Sequence, residues 1–175
     1  MNPALFVANY IIEFCADHDM EISNLKLQKI LYYVNARSLV ELGTPIFSDK
    51  IQKWQYGPVI PKVYHEFKEY GAFPLTRDAV RQQIVTLDTT ADTFAVNVQD
   101  YHSEDIEHTD IIADTVRHLA NYDSFELVEL THEHEIWKKD EYQIKNGTRN
   151  ISYTDEEIRE YFRKHEEARI WERAV

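Results

Sequence analysis

The chain has 175 residues, 43% hydrophobic and 13% aromatic, with only 4 Gly and 5 Pro spread along it, a composition that excludes a disordered or low-complexity protein and suits one folded domain over 1–175. A single cysteine, Cys15, excludes an intramolecular disulfide framework and makes a reducing cytoplasm the default expectation. The formal charge is −12, and all of it sits in the second half. Residues 1–87 hold 9 basic and 9 acidic side chains, residues 88–175 hold 10 and 22, and no Lys or Arg occurs between Arg81 and Arg117. Such a surface repels phosphate backbones and suits a basic protein partner, unless its charges serve only solubility.

At the N-terminus, Asn2-Pro3 reads as a helix cap followed by Pro at the first turn, and Val7, Ile11, Phe14 and Cys15 recur at helical spacing to about Asp17. Asn9 and Glu13 interrupt the apolar stretch, so neither a signal peptide nor a membrane span is expected. Ser23 caps a second predicted helix, whose stripe of Leu27, Ile30, Leu31 and Val34 ends before Gly43 and Pro45. The two helices are expected to pack as the core hairpin.

Short strands are predicted at 46–47 and 51–56, a turn at Gly57 to Pro61, and a short helix through Val63, Tyr64 and Phe67 that Gly71 stops. Residues 83–99 read as strand or irregular structure, and 103–121 as an amphipathic helix. Asp123 with Glu126 and Thr154 with Glu157 match capping boxes, the second opening a helix that runs to the C-terminus. Residues 131–137 and 146–148 read as loops, and 151–153 as a possible strand. The fold class is therefore α+β and mostly helical, a single compact domain with a small sheet or hairpin on a helical core.

Few patterns point to chemistry. No phosphate-binding glycine loop or nucleophile elbow is present, and Cys15 falls on an apolar helix face where a buried, inert thiol outweighs a nucleophile. His102, Glu104, Asp105, Glu107 and His108 cluster, as do His132, Glu133, His134 and Glu135, yet neither group has the HExxH spacing of a helical metal site. No catalytic residue, metal ligand or cofactor is assigned.

Eleven tyrosines and three tryptophans stand out, concentrated at Tyr32 and Tyr33 and at Trp54, Tyr56 and Tyr64. They fit either the wall of a core or a partner surface. Lys26 and Lys29, three apart on the second helix, are contact candidates or plain solvated lysines, while Gln28 points elsewhere. Gly57 and Pro58 fix a backbone turn that presents Trp54, Gln55 and Tyr56.

The runs SNLKLQKILYYVNA (23–36), GTPIFSDKIQKWQYGPVIPKVYHEFKEYG (43–71) and LVELTHEHEIWKK (127–139) resemble the Panacea domain, the SocA-like antitoxin or phage-associated GepA-like family. The resemblance rests on Leu25 to Lys29 with Tyr32 and Tyr33, on Trp54, Tyr56 to Val59, Val63 and Tyr64, and on Thr131, His132 and Trp137. It implies a non-enzymatic antitoxin that binds a co-encoded toxin directly, or that acts as an adaptor delivering it to a host protease. On that reading Lys26, Lys29, Tyr33, Trp54, Gln55, Tyr56 and Tyr64 contact the partner, while Leu27, Gly57, Pro58, Thr131, His132 and Trp137 build the motif. The competing readings are a metal-dependent hydrolase using His132, and a DNA-binding regulator of its own operon, which the acidity opposes.

Overall fold

The computed structural model describes residues 1–88 and 95–173. Helix α1, Ala4–Asp17, buries Val7, Ile11, Ile12 and Cys15. Burial pushes the Cys15 thiol up to about 11, which keeps it protonated and inert at neutral pH. Asn2 does not cap this helix. Pro3 is extended at the N-cap position and places Asn2 one residue too far upstream, where it bridges to Phe47 and exchanges side-chain bonds with the Glu107 backbone. The carboxylate of Asp49 takes over, accepting from the Ala4 amide at 2.8 Å.

Helix α2, Asn24–Glu41, starts at Ser23, whose hydroxyl accepts from the Lys26 amide. It is buried on nearly every side for most of its length, the mark of a central helix. Helix α1 covers one flank, and the helices described below pack around the rest. The expected two-helix hairpin is thus one pair within a shell around α2.

Strands β1, Gln52–Trp54, and β2, Gly57–Val59, form an antiparallel hairpin with Lys53 opposite Pro58 and Trp54 opposite Gly57. The turn therefore lies at Gln55 and Tyr56, two residues earlier than predicted. Gly57 supplies a positive φ of +86°, but Gly57 to Val59 continue as the returning strand. Pro58 is tolerated because β2 is an edge. Along the other side of β1, Ile151 to Tyr153 add a short bridge through Lys53 N to Ile151 O and Tyr153 N to Ile51 O. The predicted strand at 46–47 shrinks to the single bridge at Phe47. Helix α3, Pro61–Phe67, follows and ends through a 3-10 turn at Gly71.

A second antiparallel hairpin pairs β3, Gln83–Asp88, with β4, Ala95–Asp100; the part of the predicted 83–99 segment at 89–94 lies outside the described residues. Helix α4, Thr109–Leu119, begins six residues later than predicted because Ser103 to Asp105 form a 3-10 turn and His108 is left-handed at φ +59°. Its Ile112, Val116 and Leu119 are buried. Helix α5, Ser124–Glu133, has the full Asp123–Glu126 capping box.

Residues 131–137 are helical, contrary to the loop prediction. Thr131 to Glu133 finish α5, His134 breaks it with an extended ψ, and α6 spans Glu135–Lys138. Helix α7 covers Glu141–Lys145 and α8 Asp155–Lys164. Thr154 caps α8 on the Glu157 amide, but the Glu157 carboxylate turns away to Lys53 and Lys139, so that box is half made. The chain leaves α8 in 3-10 turns that carry Ile170 and Trp171 into the core. The architecture is α+β and mostly helical, and among the described residues no helix is long and apolar enough to cross a membrane.

Candidate functional site

Side chains from three separated segments converge on the β1–β2 hairpin. The Trp137 indole N–H donates to Trp54 O at 3.0 Å, the His132 ring Nε2–H to Gln55 O at 3.0 Å, and the Lys29 ammonium to Pro58 O at 2.9 Å. Further along, the Ile60 amide donates to Gln28 Oε1 and the Asn24 amide to Tyr64 O. Gln28 also donates back to Asn24, which fixes both amides from within one helix at i and i+4. Apart from the Gln28–Asn24 bond, each of these gives a main-chain group of the hairpin or of the following α3 segment a side-chain partner.

The packing beneath is equally tight. The His132 ring stacks on Trp137 with centroids 4.0 Å apart, and Trp54 meets Tyr64 edge-on at 5.0 Å. At Gly57 a Cβ would lie 2.5 Å from Thr131 Oγ1 and 3.2 Å from Lys29 Cε, so only glycine fits the space as well as the positive φ. Thr131, wholly buried, turns its hydroxyl back onto Val128 O.

Two predicted contact residues lie inside the protein. Lys29 and Tyr33 are both fully buried, because α2 is enclosed and no longer has a solvent side at those positions. Burial lowers the Lys29 pKa to about 7, so its proton is only partly retained at neutral pH. Tyr33 packs edge-on against Phe162 and Trp171, and burial holds its phenol protonated far above the ordinary range. Lys26 is nearly buried as well and donates to Ala120 O at 2.7 Å, tying α2 to the end of α4. Leu27 is core, and Pro58 is buried within β2.

What remains at the surface is the tip. Gln55 is exposed, Tyr56 is 55% exposed, and Trp54 and Tyr64 are half-buried on its flank. A groove of about 450 Å³ runs along one side, lined by Gln52, Trp54, Gln55, His65, Ile144 and Arg149.

Two polar arrangements escaped sequence reasoning. Lys53, buried under the hairpin, pairs with Asp140 at 2.6 Å and Glu157 at 3.2 Å, and its ammonium lies over the Tyr153 ring, so one cation joins β1 to the α6–α7 link and α8. Tyr32 hydrogen-bonds His134 Nδ1 at 3.1 Å in the core, where burial lowers the His134 pKa to about 3 and keeps it neutral. The i, i+2 histidines are thus parted, His132 serving the hairpin and His134 the core. Among the described residues no three His, Cys, Asp or Glu side chains converge as a metal-holding group.

The motif residues therefore act on main-chain carbonyls and on one another, and together they immobilise one exposed turn. Lys29, Trp54, Gln55, Pro58, His132 and Trp137 all lie within the stretch that matches a known protein family. The family model described as Antitoxin SocA-like, Panacea domain matches residues 27–138. Antitoxin SocA of Caulobacter vibrioides is 38% identical over 80 residues, 46% of this chain and 43% of that protein, so the match spans less than half of the relative's length. No solved structure matches. With the family model covering well over half of its length, the chain belongs to the SocA-like antitoxin, Panacea domain, family.

Proposed function

We propose that the protein neutralises a co-encoded toxin by direct binding, without turnover, and that the rigid tip at Gln55 and Tyr56 is the centre of the contact. The observation that carries this reading is the convergence of Trp137, His132 and Lys29 on the carbonyls of Trp54, Gln55 and Pro58. Fixing a loop before association reduces the ordering cost of binding, and an exposed tyrosine on a rigid base is a typical energetic hot spot. Membership of the antitoxin family supports the same role.

Lys29 belongs to the support of this site, Tyr33 to the core against Phe162 and Trp171, and Lys26 to a strut between α2 and the end of α4. The proposed contact set is Gln55 and Tyr56 with the exposed edges of Trp54 and Tyr64. In a toxin complex of ordinary size, about 1,600 Å² in total, these residues form the middle of a larger patch.

The test is co-expression with the product of the adjacent reading frame that arrests growth when expressed alone. Tyr56→Ala is expected to lower colony recovery at least tenfold relative to the unmodified protein while leaving the circular dichroism melt unchanged. Undiminished rescue by a Gln55→Ala/Tyr56→Ala double variant contradicts the assignment.

A further inference from the structure

Helix α5 and the α6–α7 segment form the walls of a second groove of about 650 Å³. His132 lines it while holding Gln55 O, so the groove is continuous with the base of the tip. Its floor is apolar and aromatic, made by Leu130, Tyr122 and the edge of Trp137. The helices that form the walls also carry large aromatics in solvent next to lining residues, Phe125 on α5 at 64% exposure beside Glu126 and Tyr142 on α7 at 81% beside Glu141. Solvent-facing rings beside an apolar floor mark an interaction surface.

Charge decides which partner fits. The rim holds Glu126, Glu129, Glu133 and Glu141 against one cation, Lys138. Glu133 is paired with Lys138 and Glu141 with Lys145 at the surface, while Glu126 and Glu129 make no ion pair among the described residues. Exposed pairs of this kind are weak, so an incoming cation competes for their carboxylates at little cost. The one histidine in the lining, His132, is held toward its neutral form by burial and by the nearby Lys29, and so adds little repulsion. The Arg149 groove offers no such rim, its lining cations being Lys53 and Arg149.

We infer that the α5–α7 groove receives a lysine- and arginine-bearing segment of the toxin, its apolar side chains on Leu130 and Tyr122 and its cations on Glu129 and Glu133, beside the tip that grips the same partner. This inference rests on the neutralisation reading above and adds the chemistry of the bound segment. The acid-rimmed groove also steers a basic partner toward the tip.

A direct probe is a synthetic 16-residue peptide with leucines at helical spacing and arginines between them, titrated into the isotope-labelled full chain and followed by amide chemical shifts. Shifts are expected at 122–141 and at the tip. Glu129→Lys/Glu133→Lys is expected to weaken binding at least tenfold, and a control peptide with glutamates for arginines to leave the spectrum unchanged. Shifts centred on the acidic stretch 100–114, or equal affinity for the double variant, overturn the inference.

Growth rescue separates this inference from the reading beneath it. If Glu129→Lys/Glu133→Lys rescues fully while Tyr56→Ala fails, the groove is wrong and neutralisation through the tip stands. If both rescue fully, the tip reading falls with it. Glu129→Gln/Glu133→Gln, which removes charge without reversing it, replaces the lysine pair should that variant lose its helical signal.

Discussion

The two hairpins of this protein are held by opposite means. Strands β3 and β4 pair over six residues each, twice the length of β1 and β2, and rely on their own ladder with Ile84 as an anchor in the core. Val85, Val96 and Val98 stay exposed on that hairpin. The β1–β2 hairpin has three residues per strand, too few for independent stability. Its carbonyls are instead taken by Trp137, His132 and Lys29 from α2, α5 and α6. A ladder suffices to keep two strands together. Holding a two-residue tip in one geometry takes donors locked into the surrounding helices, and Trp137, His132 and Lys29 supply them.

The contrast is sharpest for Trp137, fully buried and bonded to Trp54 O. Trp137→Ala is expected to destabilise the fold by about 3–5 kcal/mol in urea unfolding, through lost packing and an orphaned carbonyl. Gly57→Ala comes next, at about 2–4 kcal/mol, because the new methyl collides with Thr131 and the φ is strained. Gly147→Ala is its control, having a similar φ of +84° but open space around it, and is expected to cost only about 1 kcal/mol. Equal costs at the two glycines would show that the Thr131 contact is unimportant.

Lys29 gives a pH signature. Its folded pKa of about 7 lies below the unfolded value of 10.5, so the unfolded chain binds more protons between these limits and stability rises with pH across that window. The cost of the buried ammonium is fully present below pH 7. From pH 7 to 9, before the buried tyrosines begin to act in the opposite direction, Lys29 is expected to add about 2 kcal/mol. Unfolding curves of Lys29→Met are expected to lack that rise. At the other hairpin, Val98→Thr on an exposed face is expected to shift stability by less than about 0.5 kcal/mol.

Local signals were legible in the sequence wherever a short range decided the outcome: Ser23 as a cap, the Asp123–Glu126 box, the α3 stop at Gly71, the mostly helical α+β class. Periodicity failed where the environment was set by distant segments. Lys29 reads as a contact candidate or solvated lysine because its spacing of three from Lys26 assigns both to one side of α2, and Tyr33 fits core wall or partner surface alike. Nothing local reveals that α2 is enclosed on that side too. The Gly57-Pro58 pair reads as a turn, yet the turn falls at Gln55 and Tyr56 because Gly57 and Pro58 pair with Trp54 and Lys53 in the returning strand, and glycine is needed there because Thr131 and Lys29 crowd it from other helices. The three runs that carry the family resemblance include Lys29, Trp54, Gln55, Pro58, His132 and Trp137, which the structure brings together. Their shared task was hidden, since donors and acceptors lie 29 to 83 positions apart in the chain.

Hydrogen exchange of the free protein against its complex with the growth-arresting neighbour most directly tests the division of labour between the hairpins. Binding is expected to slow exchange at Gln55 to Gly57 and to leave Val96 to Asp100 unchanged. Protection confined to Val96 to Asp100, with the Gln55–Tyr56 tip exchanging as in the free protein, would contradict it.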